Sequence, residues 1–219
     1  MDSPSHTEQS LETLQDIKRM MERSSRFISL SGLSGVSAGI CALIGAFVAH
    51  NWIMEYYGAD SSSYLSRHGY DADGAEALKW KLIMLAGGVL AAALVSSTWF
   101  TLRKARKNNL PMWDHASKKL FINVALPLAA GGFFVLGLLS HNDWNYVSPS
   151  CLVFYGLALI NASKYTLTEI RYLGILEVVL GIISMWYLHW GLYFWTIGFG
   201  ALHIIYGLIM WWKYERGAQ

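Results

Sequence analysis

Six long apolar segments separated by polar ones are the dominant pattern along this chain. They cover, approximately, residues 27–49, 81–102, 120–140, 148–163, 172–189 and 192–212. A helix needs about 20 apolar residues to cross about 30 Å of hydrocarbon, and in lipid its backbone amides must find partners within the segment. The pattern therefore predicts an all-α integral membrane bundle of six transmembrane helices, connected as three hairpins.

The composition agrees with this interpretation. Of the 219 residues, 54% are hydrophobic and 15% are charged, whereas soluble domains carry about 25% charged residues. The net charge of +2 gives no reason to expect a nucleic-acid partner. Cys41 and Cys151 lie in different apolar segments, so no disulfide framework is expected.

The distribution of Lys and Arg predicts the orientation of the six helices. With this topology, 14 of the 17 basic residues fall on one side: Lys18, Arg19, Arg23, Arg26, Arg103, Lys104, Arg106, Lys107, Lys118, Lys119, Lys164, Arg171, Lys213 and Arg216. Because basic loops stay in the cytoplasm, both termini are expected inside and the long loop at 50–79 outside. The domains are then a cytoplasmic tail (1–26), a transmembrane domain (27–213) and a second tail (214–219).

The N-terminal tail shows a helical apolar stripe. Leu11, Leu14, Ile17 and Met21 recur at steps of three and four, which predicts an amphipathic helix. Such a helix either lies on the anionic inner leaflet or docks a cytoplasmic protein partner through residues 8–24.

The segment MMERSSRFISLSGLSGVSAGICALIGA, residues 20–46, resembles the opening of an uncharacterised family of bacterial six-span membrane proteins. The resemblance implies the same six-span topology and a location in the bacterial inner membrane. It implies no catalytic residue.

Small residues form a stripe along the first apolar segment. Ser31, Gly35 and Gly39 follow one another at steps of four, which allows helix backbones to approach closely in lipid. The stripe indicates either packing within the bundle or a homo-oligomer contact.

A proline in the third segment creates a need for an extra hydrogen-bond donor. Pro127 lacks an N–H group and crowds the carbonyl of Asn123, which then needs a donor from elsewhere. Antiparallel pairing of segments three and four brings Asn161 to this level. Asn161 is therefore predicted to satisfy the proline kink or to line a polar pocket.

Glu177 is the most informative residue of the chain. It lies six residues beyond Arg171, about 9 Å deeper along a helix, where an ionisable side chain is costly. The tight turn near Gly191 brings Glu177 level with about residue 205, close to His203. The two side chains are predicted to share a proton, either as a structural contact or as a proton relay.

Three histidines lie at the outer ends of the odd-numbered segments. His50, His141 and His189 are each within three residues of a tryptophan, and aromatic belts at membrane interfaces have this composition. Interfacial anchoring is the favoured interpretation, and no cofactor is predicted on that basis. The alternative is a histidine-ligated zinc or haem, because three histidines around one zinc leave an open position.

The favoured function is that of a non-enzymatic sensing, regulatory or accessory membrane subunit, since no nucleotide-binding or hydrolase motif occurs in the chain. The first alternative is a small proton-coupled transporter built around Glu177 and His203. The second is a membrane protein that binds a metal or haem through the outer histidines.

Overall fold

The structure is a computed structural model, and it describes residues 31–58, 72–108 and 115–216. Most of these residues are helical, and no strand occurs among them, which confirms the all-α prediction. The elements are α1 (Gly32–Gly58), α2 (Ala72–Lys107), α3 (His115–Ser140), a 3₁₀ turn (Trp144–Tyr146), α4 (Val147–Ala162), α5 (Glu169–Ser184), a second 3₁₀ turn (Leu188–Trp190), α6 (Gly191–Trp195), a π-helical segment (Thr196–Leu202) and α7 (His203–Tyr214). Helix α6, the π-helical segment and α7 follow one another without a break, and we call them together the last helix.

Four of these helical stretches are long and apolar enough to cross a membrane. They are Gly32–Tyr56, Gly74–Lys107, Ala116–Ser140 and Leu188–Tyr214. Helices α4 and α5 have 16 residues each, which corresponds to about 24 Å of helix. The four apolar helices indicate a membrane protein.

The observed helices extend beyond the predicted boundaries on both sides of the region 50–79. Helix α1 continues to Gly58 and α2 begins at Ala72, so both enter the region 50–79 that was predicted as an outer loop. Hydropathy marks where polar residues begin, whereas a helix pairs its own backbone in water as well as in lipid. The predicted amphipathic helix of the tail lies outside the described residues.

The last helix lies at the centre of the arrangement. It packs against α1 on one side and against α4 and α5 on the other, while α2 covers α1 and α3 covers α4. The helices follow the predicted hairpin order along the chain. However, α5 packs more extensively on α4 than on the last helix, its predicted hairpin partner.

Glycines bring α1 and the last helix into backbone contact. A Cβ atom on Gly32 would lie 2.5 Å from the carbonyl oxygen of Gly207, and one on Gly39 would lie 2.7 Å from the carbonyl oxygen of Gly200. Gly35 lies between them against the same helix. The small-residue stripe of α1 therefore faces the last helix of its own chain, in the packing role that such stripes have in membranes.

A second pair of glycines sets the distance between α4 and α5. A Cβ atom on Gly156 would lie 2.6 Å from the carbonyl oxygen of Gly174, and the reciprocal distance is 2.7 Å. This close approach brings the facing side chains of the two helices against the middle of the last helix.

Candidate functional site

Glu177 lies on the inward face of α5. This face includes Leu173, Gly174, Gly181 and Ser184, which recur at helical spacing and are buried. The side chain of Glu177 has no exposed surface, and neither carboxylate oxygen has a hydrogen-bond partner among the described residues. A carboxylate held in this way is costly unless a proton or a cation compensates for its lost hydration.

His203 is the residue that faces this carboxylate. Its Nδ1 atom lies 3.5 Å from Oε1 of Glu177, and it also lies 3.0 Å from the carbonyl oxygen of Gly198. A backbone carbonyl only accepts hydrogen bonds, so Nδ1 carries a hydrogen and donates it to Gly198. The Glu177–His203 contact predicted from the depth of the two residues is therefore present.

Tyr155 of α4 completes the cluster. Its hydroxyl lies 2.7 Å from Nε2 of His203. When the imidazole is neutral, the hydroxyl donates to Nε2, and when Nε2 is protonated the hydroxyl accepts instead. The hydroxyl can thus follow a change in the protonation of the ring by rotation alone. We call Tyr155, Glu177 and His203 the proton cluster.

The π-helical segment shapes the last helix around Glu177. A Cβ atom on Gly198 would lie 2.5 Å from Oε2 of Glu177 and 2.5 Å from Cδ2 of Leu152. Only glycine leaves room there for the carboxylate without a shift of its neighbours. π-helical turns are rare and are frequent at functional sites, because they displace side chains from the regular helical register.

Aromatic rings surround the proton cluster. Phe199 stacks on the His203 ring with a centroid distance of 5.9 Å and an interplanar angle of 16°. The centroid of the Phe199 ring also lies 4.9 Å from the centroid of the Tyr155 ring. These rings place apolar surface beside the imidazole, and a low local polarity strengthens each electrostatic contact within the cluster.

Tyr155 and Gly198 are the members of the site that sequence reasoning missed. Tyr155 is the one hydroxyl-bearing aromatic residue in the apolar segment 148–163, and this could have marked it as a polar group at membrane depth. Gly198 was noted only as a small packing residue. No sequence signal identified the π-helical turn.

Asn161 satisfies the proline kink, as predicted. Its Nδ2 atom donates to the carbonyl oxygen of Asn123 at 2.8 Å and lies 3.2 Å from the side-chain oxygen of Asn123. Its own Oδ1 atom accepts from Lys164 at 3.1 Å. Asn161 therefore joins α4 to α3 at the position where Pro127 frees an acceptor.

The three histidines that were predicted at the outer face occupy separate environments. His50 contacts the ring of Tyr193 edge-on at 6.1 Å, and His141 and His189 are exposed. Within residues 31–58, 72–108 and 115–216, no three His, Cys, Asp or Glu side chains are grouped as metal ligands. The metal alternative therefore gains no support from the arrangement of these side chains.

Glu169 fastens the start of α5 to the end of the last helix. Its Oε1 atom accepts hydrogen bonds from Nζ of Lys213 and, at 2.7 Å, from the hydroxyl of Tyr214. Burial raises the pKa of Glu169, but these hydrogen bonds lower it by more, so the pKa lies below its ordinary value. The contact holds α5 and the last helix together at the end opposite to the tight turn.

The fold and the site together define a helical membrane protein with a buried carboxylate, imidazole and phenol in contact. Comparison with family models, with curated proteins and with solved structures finds no match.

Proposed function

We propose that the chain is a six-span protein of the bacterial inner membrane, with α1 to α5 and the last helix as its spans. Four of these helices have the length and hydropathy of spans. The other two, α4 and α5, pack closely on each other, and a bilayer accommodates short spans by local thinning. The resemblance of residues 20–46 to a bacterial six-span family supports the same location.

The basic residues support an orientation with both termini in the cytoplasm. A reporter fused after Gln219 is expected to be active in the cytoplasm, and one inserted near Ser62 is expected to be active outside. The reverse result, or recovery of the protein in the soluble fraction, would contradict the topology.

Within this topology, the protein acts as a non-enzymatic sensor or regulatory subunit in which the proton cluster takes up and releases a proton. The observation that carries the proposal is the full burial of Glu177 beside the imidazole of His203, with no hydrogen bond from any described residue to either carboxylate oxygen. Ionisable groups in a membrane interior are costly and usually serve a function.

The geometry favours a sensor over a catalytic site. Glu177 has no exposed surface, so a substrate molecule cannot reach the carboxylate in this conformation. A proton can still change the hydrogen bonding, because His203 links Glu177 on α5 with Tyr155 on α4. A change in protonation therefore acts on the packing of three helices at once.

The amphipathic segment at residues 8–24 is the proposed output of the sensor, through contact with a cytoplasmic protein. A segment carrying Leu14→Asp and Ile17→Asp is expected to be released from the protein partner, because the two charges interrupt the apolar stripe; release from liposomes instead would identify the lipid as the contact. Unchanged binding to the protein partner would exclude the apolar stripe as the contact surface.

A proton-coupled carrier is the second candidate. The π-helical segment changes the register of the last helix next to Glu177, and π-helical turns are frequent at functional sites. A carrier requires a second conformation in which Glu177 meets water. Substrate-driven proton flux in proteoliposomes that is abolished by Glu177→Gln would identify this function.

Infrared difference spectroscopy of the full chain in lipid nanodiscs tests the sensor. When the pH is varied, one carboxyl band is expected to titrate in the wild type and to be absent in Glu177→Gln. The matched control, Glu169→Gln, should retain the band. Hydrogen exchange in the last helix should follow the same titration. Identical spectra and exchange in the wild type and in Glu177→Gln would refute the proposal.

A further inference from the structure

A cavity of about 270 Å³ opens at the basic end of the bundle, where the start of α1 meets the ends of α2 and the last helix. We call it the basic-end cavity. Its α2 wall carries three cationic side chains and one amide, those of Arg103, Lys104, Lys107 and Asn108. This excess of cations distinguishes it from the proton cluster, which lies deep in the bundle.

Among the described residues, one acidic side chain also lines the cavity, and its carboxylate already has three partners. Glu215 accepts a hydrogen bond from the backbone N–H of Gly32 at 2.6 Å and one from the hydroxyl of Ser31 at 3.3 Å. It also forms an ion pair with Lys104 at 3.3 Å. The carboxylate therefore caps the N-terminus of α1 and neutralises one of the three cations.

The other two cations remain available to a ligand. Arg103 and Lys107 are four residues apart on α2, so they lie on the same side of the helix one turn apart. Neither forms an ion pair with another residue in the part of the chain that the structure describes. Two like charges at this spacing repel each other, and an anion placed between them removes that repulsion.

The cavity also has an apolar wall. Leu33, Phe100 and Trp211 line it on the side of the apolar helices. A ligand that suits both walls has an anionic group for Arg103 and Lys107 and a hydrocarbon part for the apolar side. Arginine binds phosphate oxygens through paired hydrogen bonds, and an interfacial tryptophan packs well beside lipid.

We propose that the basic-end cavity binds the phosphate of an anionic phospholipid headgroup, with Arg103 and Lys107 as its charged ligands. Asn108 adds a neutral amide donor to the same wall. The proposal relies on the membrane location proposed above. Because the cavity and the proton cluster consist of different residues, either proposal can fail without the other.

Native mass spectrometry of the full chain, released from vesicles of phosphatidylglycerol or of phosphatidylcholine, tests this site. The wild type is expected to retain phosphatidylglycerol in preference to phosphatidylcholine. Each basic residue near an anionic surface contributes about 1 kcal/mol, so Arg103→Gln with Lys107→Gln should weaken phosphatidylglycerol binding about thirtyfold. Each single variant should weaken it about fivefold, which keeps the test valid if the double variant misfolds.

The matched control removes the same charge from outside the cavity. Arg106→Gln with Lys118→Gln lowers the net charge at the same end of the bundle, and neither residue lines the cavity. This control should retain the preference for phosphatidylglycerol. An equal loss in the control, or no preference in the wild type, would overturn the proposal. Binding of inorganic phosphate that depends on Arg103 and Lys107, without lipid preference, would overturn it in favour of a soluble ligand.

Discussion

The contact between Glu177 and His203 makes a quantitative prediction about stability. The perturbation is the pair of substitutions Glu177→Gln and His203→Gln, made singly and together. Because His203 makes two hydrogen bonds, to Tyr155 and to Gly198, its replacement should lower the free energy of unfolding by about 1 to 3 kcal/mol. The carboxylate of Glu177 has no hydrogen-bond partner among the described residues, so its replacement alone should change stability by less than about 1 kcal/mol.

The coupling between the two residues is the informative quantity. Nδ1 of His203 lies 3.5 Å from Oε1 of Glu177, which is long for a hydrogen bond but close enough for the charge of one group to act on the other in an apolar site. We therefore expect a coupling energy of about 0.5 to 2 kcal/mol, the range found for contacting residues. In the double variant, the total loss should differ from the sum of the single losses by this amount.

Reversible unfolding in lipid bicelles, followed by steric trapping, measures these free energies on the full chain. The control pair combines Glu177→Gln with Asn161→Ala, which acts at the interface of α3 and α4 and should be additive within about 0.5 kcal/mol. Additivity of Glu177→Gln and His203→Gln would refute the reasoning, because side chains that interact directly cannot respond independently.

Three further predictions follow from other contacts. Gly198→Ala should lower the free energy of unfolding by about 1 to 3 kcal/mol, because the new methyl group overlaps a carboxylate oxygen of Glu177. The control Gly132→Ala should leave the free energy of unfolding unchanged, because nothing lies within 4 Å of the new methyl group. Equal effects of the two variants in thermal unfolding would contradict this prediction. Asn161→Ala should lower the free energy of unfolding by about 1 kcal/mol in the same assay. The loss should be smaller in a Pro127→Ala background, because the backbone N–H of Ala at position 127 then donates to the carbonyl of Asn123. An equal loss in both backgrounds would exclude the proline kink as the reason. The pKa of Glu169 lies below its ordinary value. The contact of Glu169 with Lys213 and Tyr214 therefore stabilises the fold at pH values above the ordinary pKa, and this stabilisation is lost as the pH falls through the lowered pKa. Glu169→Gln should flatten the acid limb of a stability curve, and an unaltered limb would disprove the assignment.

The sequence by itself determined most of the described helices and some of the residues that lie level with each other on neighbouring helices. The apolar segments at 172–189 and 192–212 correspond to α5 and the last helix, and the tight turn near Gly191 predicted which residues lie at equal depth. Glu177 and His203 were found in this way. The same argument, from Pro127 and a short connection, led to Asn161.

Only the tertiary structure decided which side chains meet around Glu177. Tyr155 belongs to α4, which precedes α5 in the chain, and the hairpin between α5 and the last helix says nothing about it. Hydropathy is an average along a segment, and a short connection fixes the relative depth of two helices but not their rotation or their third neighbour. Those features arise from close backbone packing at Gly156 and Gly174 and from the π-helical turn at Gly198, which depend on contacts between distant segments.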